Sequence, residues 1–193
     1  MRPYPPLLLL LAGLLASGIA QARDYQFDKV HSQVGFEISH LGFSMSQGRF
    51  KGLDGDFSFD PKDWQRASCD VRIDVASLDM GDAGWRKKLL SKSWFDVEQY
   101  PQMRFVCSGL EQSDEHHGNL RGDLTLHGVT RPVSLTLTFN RAGFHKYALK
   151  HVAGFSARTS ILRSDFGIDN TLPEVGNEVG IRIEIEGSLR KKS

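Results

Sequence analysis

This chain of 193 residues has only two cysteines, almost no net charge and, beyond residue 22, no long apolar run. Each shortage excludes something. Two cysteines allow at most one bridge. Basic residues number 24 and acidic residues 23, so the basic excess that marks a nucleic-acid footprint is missing. No G-x-S-x-G elbow, phosphate loop or H-E-x-x-H signature occurs, which removes three common catalytic designs. Neither an internal repeat nor a shift in composition divides the chain, and its length suits one domain.

The first 22 residues read as a targeting segment. Arg2 supplies a positive start, and Leu7 to Ile19 is an apolar core too short to span a bilayer comfortably. Ala20-Gln21-Ala22 has the A-x-A form of a cleavage site. The expectation is a cleaved secretory signal over 1–22 and a mature domain over 23–193, with an uncleaved anchor as the rival. Export would place the two cysteines where disulfides persist.

What is present is alternation. Cys69-Asp70-Val71-Arg72-Ile73-Asp74-Val75 has an apolar residue at every odd position and a charged one at every even position. In a strand such a run has one dry face and one wet face. Eight such runs follow one another. The first holds Tyr25, Phe27, Val34, Phe36 and Ile38, and the second Phe50, Phe57 and Phe59. The third is the run quoted above, and the fourth has Met103, Phe105 and Cys107. Leu120, Leu124 and Leu126 mark the fifth, and Val133, Leu135, Leu137 and Phe139 the sixth. The seventh runs near Val152 to Ile161 with Phe155 inward, and the eighth holds Val179, Ile181, Ile183, Ile185 and Leu189. Glycines 48, 52 and 55 suggest bulges or bends in the second.

Between the third and fourth runs the period becomes helical over about 82–91, with Trp85 and Leu89 four apart and Leu90 beside them. A loop of about a dozen residues, 162–174, precedes the eighth run. Many short strands in up-and-down order predict an all-β fold, an eight-stranded antiparallel lipocalin-like barrel with one short helical insertion. The same alternation serves a filled barrel and a hollow one.

Few residues stand out as chemical groups. Cys69 and Cys107 fall on the apolar faces of neighbouring strands, which leaves two outcomes, a cross-strand bridge or two buried thiols. Loop entropy would make the bridge worth about 4 kcal/mol. His116-His117 lies beside Asp114 and Glu115, but a metal site needs three or four convergent ligands, so the group reads as a solvated turn. His40 shares the parity of Val34, Phe36 and Ile38 and points inward near one barrel end, either as a structural histidine or as a polar contact for a ligand. His31 has the opposite parity. Arg86, Lys87 and Lys88 read as the wet face of the helix, with attraction of an anionic head group as the alternative. Arg163-Ser164-Asp165-Phe166-Gly167 is either a lid or pocket rim, or an ordinary surface loop.

Taken in order, several segments resemble the YceI-like family of secreted lipid-binding barrels. They are His31-Ser32-Gln33-Val34-Gly35-Phe36 through His40, then Gly48-Arg49-Phe50, then Trp94-Phe95-Asp96-Val97-Glu98-Gln99-Tyr100-Pro101 with Phe105. Gly122 to Val133 follows, and the set closes with Arg163 to Ile168 and Asn177-Glu178-Val179. One stretch departs: Trp85-Arg86-Lys87-Lys88-Leu89 stands where family members often carry R-D-x-H-L.

The resemblance implies a hollow apolar tunnel, a periplasmic location and a long isoprenoid ligand such as a polyprenyl phosphate or a quinone tail. It implies no catalytic residues. On this reading Val34, Phe36, Ile38, Phe50, Phe57 and Phe59 grip the ligand with Val71 and Ile73. Phe105, Leu124, Leu135, Phe155 and Ile183 complete the wall. Trp85, Leu89, Trp94 and Phe166 lie near the helix and long loop, and His40 meets the polar end. The expectation is therefore a carrier, not an enzyme, without metal or cofactor and without stable membrane insertion; a homodimer stays open. The rivals are an enzyme acting on a lipid or related amphiphile, and a solid-cored module that binds a protein.

Overall fold

The alternating runs form strands, and the strands close on themselves. The computed structural model describes residues 22–190. The expected leader, except Ala22, and the end of the basic tail lie outside the described residues. Eleven segments are extended: β1 (Arg23–Phe27), β2 (Gln33–His40), β3 (Ser44–Phe50), β4 (Leu53–Phe59), β5 (Ser68–Asp74), β6 (Leu78–Asp79), β7 (Gln102–Gln112), β8 (His117–Leu126), β9 (Val129–His145), β10 (Lys150–Leu162) and β11 (Val175–Leu189). The pairs β1/β2, β3/β4 and β5/β6 are each one wall strand with a break, so the wall has eight antiparallel strands in chain order. The ring closes where β11 pairs with β2, as at Ile181–Phe36, and with β1, as at Phe27–Gly187.

The breaks change which residues face inward. Tyr25 and Phe27 are odd-numbered, while Val34 and Phe36 are even. Phe50 gives way to Leu53, and Val75 to Leu78. A strand's side chains have period two, so each switch requires an irregular segment between. Gly52 sits at one such bend, its carbonyl accepting from Asp74 N–H at 2.8 Å. Gly55 has φ +118°, and a Cβ there would lie 2.0 Å from the Asp70 carbonyl oxygen, so no other residue suits that corner. Gly48 instead makes room: a Cβ would lie 2.5 Å from the Phe36 ring.

All the turns divide between two ends. One end carries the β2–β3 and β8–β9 turns, the 163–174 loop and helix α1 (Ala83–Leu90). Asp82 starts α1 by accepting from Trp85 N–H at 2.7 Å, the usual N-cap device. Arg86 fixes it by donating to the carbonyls of Leu78 and Ala76 at 2.9 and 2.6 Å. The other end carries the β4–β5 connection with a 3-10 turn at Trp64–Arg66, the β7–β8 turn and the β9–β10 hairpin. No helix among the described residues is long and apolar enough to cross a membrane.

Two core clusters follow this division. Leu53, Val75, Leu78, Trp94 and Phe166 pack near α1. Tyr25, Phe59, Trp64, Leu137 and Phe155 pack at the far end. There Phe59 meets Phe155, Phe139 and Trp64 at ring-centroid distances of 4.9, 5.0 and 5.4 Å. Cys69 and Cys107, in adjacent strands β5 and β7, have Cα atoms 5.1 Å apart and are joined as a disulfide. The strands flanking the β9–β10 turn run beyond the expected limits near Phe139 and Val152, reaching His145 and Lys150.

Candidate functional site

The barrel encloses a cavity of about 300 Å³, lined almost wholly by apolar side chains. At roughly 10–15 Å³ for a single water this is far more than a packing defect, and it falls within the range of ligand pockets. The interior is therefore not filled by its own side chains along its length, as a solid-cored module requires.

The inward alternation builds the wall. Val34, Phe36 and Ile38 come from β2, Phe57 and Phe59 from β4, Val71 and Ile73 from β5, and Ile183 from β11. All but one of the residues expected to grip a ligand border the cavity, and the disulfide lies in its wall. The exception is Phe166. It is 2 % exposed and packs within the core beside Ile168 rather than lining the cavity.

Three ionisable side chains reach this cavity among the described residues: His40, Lys88 and Arg163. They come from the end of β2, from α1 and from the turn after β10, so all three gather at the α1 end. His40 meets the Trp85 ring edge-on with centroids 5.9 Å apart. Ser46, in β3 opposite Ile38, is buried against the cavity, and its hydroxyl makes no hydrogen bond within the protein.

Arg163 is the feature that sequence reasoning missed. It is 3 % exposed. Its guanidinium donates to the carbonyls of Gly176, Ile168, Asn170 and Val175 at 2.7–3.0 Å, and it lies over the Trp94 ring 5.4 Å from the centroid. Two carbonyls from the loop and two from the start of β11 thus converge on one planar fork, which Arg suits and Lys does not. Burial pulls its pKa down, and the Asp169 charge opposes this. The loop is therefore a fastened rim of the cavity, not a surface loop. The rim was one of the readings the sequence offered for Arg163 to Gly167; what it did not offer was the set of carbonyls that Arg163 holds.

The helix basics do not act alike. Arg86 is an anchor to backbone, Lys87 is exposed, and Lys88 borders the cavity. His31 lies outside the barrel, 3.2 Å from Asp28 and 4.0 Å from Glu186. The Lys150 ammonium also reaches Asp28 at 3.7 Å, so the cationic needs of that group are met internally. His117 Nδ1 lies 2.9 Å from the Asp114 carboxylate in an exposed turn, and His116 Nδ1 lies 3.1 Å from the Phe139 carbonyl oxygen.

The geometry has counterparts elsewhere. The sequence pattern described as the YceI-like domain matches residues 25–187. A UPF0312 protein of Pseudomonas savastanoi pv. phaseolicola is 38 % identical over 186 residues, covering 95 % of this chain and 96 % of the relative. Among solved structures, Burkholderia cenocepacia BcnA has a TM-score of 0.75 at 27 % identity, over 83 % of this chain and 98 % of that one. The Campylobacter jejuni YCEI protein has a TM-score of 0.70 at 30 % identity, over 85 % and 96 %. A polyisoprenoid-binding domain from Saccharophagus degradans shares the fold, with a TM-score of 0.64 at 15 % identity over 86 % and 98 %.

Proposed function

The chain belongs to the YceI-like domain family, and from that premise we propose that it is a periplasmic carrier for a long-chain isoprenoid lipid. The barrel wall grips the tail, and the α1 end meets the head. The observation that carries this reading is the long apolar cavity whose ionisable lining sits at one end only. That is the polarity of an amphiphile. The fold shared with a polyisoprenoid-binding domain is consistent with it.

The energetics suit such a guest. Each buried methylene contributes about 0.8 kcal/mol before the chain's ordering is counted. At roughly 0.3 kcal/mol per heavy atom overall, a ligand of about forty atoms reaches nanomolar affinity. The tail alone then accounts for retention, and the head decides selection. Lys88 and Arg163 are cationic, and no carboxylate stands among the lining residues described. This favours an anionic head, such as a phosphate, over the neutral head of a quinone. It also supports binding rather than catalysis, because His40 has no carboxylate partner in the cavity with which to form an acid–base pair.

Native mass spectrometry with lipid extraction of the purified protein tests the proposal. The expected result is a copurifying isoprenoid, or uptake of polyprenyl phosphate by the emptied protein in preference to a quinone. A protein that purifies empty and takes up neither would overturn it. Export is tested by sequencing the N-terminus of the periplasmic fraction, where Arg23 is expected first.

A further inference from the structure

The β9–β10 hairpin leaves the barrel. Pairing of β9 with β8 ends at Thr138–His117, and pairing of β10 with β11 ends at Val152–Ser188. Beyond these points, apart from the Phe139 amide donating to the His116 carbonyl at 2.7 Å, the two strands pair among the described residues only with each other up to the turn after His145. The result is a two-stranded arm at the end opposite α1. Such a hairpin is marginal in water by itself, yet this one carries apolar side chains into solvent. Tyr147 is 82 % exposed, Leu149 76 % and Phe144 53 %. Val30, in the neighbouring β1–β2 connection, is also exposed.

The arm's charge has one sign. His145, Lys146, Lys150 and His151 lie on it, Arg141 lies at its base opposite Gly154, and the sequence has no carboxylate between Asp123 and Asp165. Lys150 has Asp28 at 3.7 Å at the arm's base. Lys146 lies over the Tyr147 ring, 4.8 Å from its centroid. Aromatic rings with an apolar body and a polar edge, set among cations, are the side chains that settle at a bilayer interface.

We propose that this arm docks the protein on an anionic phospholipid bilayer, with Phe144, Tyr147 and Leu149 entering the interface and Lys146 meeting the lipid phosphates. A protein partner fits less well. The arm's exposed apolar side chains stand among cations with no carboxylate on the arm, and a bilayer meets such a tip without a matching shape. The inference does not depend on what the barrel holds.

The test uses the chain from Arg23 onward, which contains every strand of the barrel and lacks the apolar leader. It is sedimented with vesicles of phosphatidylglycerol and phosphatidylcholine, or of phosphatidylcholine alone. Binding is expected only to the anionic vesicles and is expected to weaken with salt. Each charge near an anionic surface is worth roughly five-fold in affinity. The variant Lys146→Glu/Tyr147→Ser/Leu149→Asn, which reverses one charge, is therefore expected to bind more than about twenty-fold more weakly. Its thermal melt should match that of the parent because all three side chains are exposed.

Several results would overturn the proposal. They are no partition onto anionic vesicles, equal partition onto neutral ones, or an arm variant that binds like the parent. Loss of binding in Phe43→Ser/Met45→Ser, at the α1 end, with the arm variant unaffected would move the contact to the other end. Arm-dependent binding to poly-glutamate without vesicle binding would point to an acidic protein instead.

Discussion

The two ends of this barrel use the same wall for opposite purposes. At the arm end the aromatic residues pack on one another: Phe59, Trp64, Phe139 and Phe155 meet edge-on or tilted with centroids 4.9 to 6.0 Å apart, and only Phe59 and Phe155 of the four also border the cavity. At the α1 end Phe36, Phe50, Trp85 and Trp94 border the cavity, where a guest can reach them. Polar ties hold that end together. Arg86 and Arg163 gather backbone carbonyls, and Asp79 joins β6 to β3 through Arg49 while also holding Lys51. Apolar surface packed against itself stabilises the fold; apolar surface left facing a void is available for binding.

Paired truncations put this contrast at most risk. Trp64→Ala should lower unfolding free energy by about 3–5 kcal/mol, as large buried aromatics do. Trp85→Ala, at a site 37 % exposed, should cost less than about 1 kcal/mol yet speed loss of a bound lipid. Urea unfolding midpoints and ligand release rates measure both. Equal costs at the two sites would break the comparison.

The disulfide lies in the wall between the ends. Its loop spans a sequence separation of 38. Cys69→Ser/Cys107→Ser should therefore lower stability by about 2–4 kcal/mol, shifting the urea midpoint while the barrel's circular dichroism is kept.

A smaller effect sharpens the reading of the α1 end. Lys88→Ala should weaken a polyprenyl phosphate by about ten-fold, the scale of one charge-assisted contact. It should leave a neutral-headed isoprenoid unchanged. Loss of both in equal measure would mean that Lys88 serves the fold rather than the head group.

The smallest expected effect is on pH dependence. Hydrogen bonds from Lys51, from the Gly81 amide and from Arg49 hold the Asp79 carboxyl well below the usual carboxylate range. The Arg104 fork does the same for Asp70, with N–O distances of 2.8 and 2.7 Å. A depressed folded-state value stabilises the fold above the unfolded value near 4. That contribution is lost as pH falls from there through the folded value. Both sites are exposed, so the loss is small. Asp79→Asn should flatten the acid limb of urea midpoints taken between about pH 5 and pH 3.

Much of this was legible in the chain, and the reasons are physical. Period-two alternation encodes a wall with one dry face, so the eight strands, their order and much of the apolar cavity lining could be read directly. Parity switches, as from Phe27 to Val34, mark the breaks. Hollowness left no trace, because Phe36 faces inward whether it meets a void or a neighbour. Phe166 misled because an aromatic residue in a rim loop can face the bore or the core. Arg163 was opaque because its partners are backbone carbonyls, which every residue carries. The arm went unread because both of its faces meet solvent, which removes the contrast that alternation needs.

The seam has a further consequence. Tyr25 lies opposite Leu189, and the Arg190 amide donates to the Asp24 carbonyl at 2.9 Å. The wall is thus almost a closed circuit of polypeptide, in which the backbone gap occupies one point on the rim. A short linker across that gap, with new termini opened at Ser113–His116, would give a circular permutant with the same neighbours for every strand.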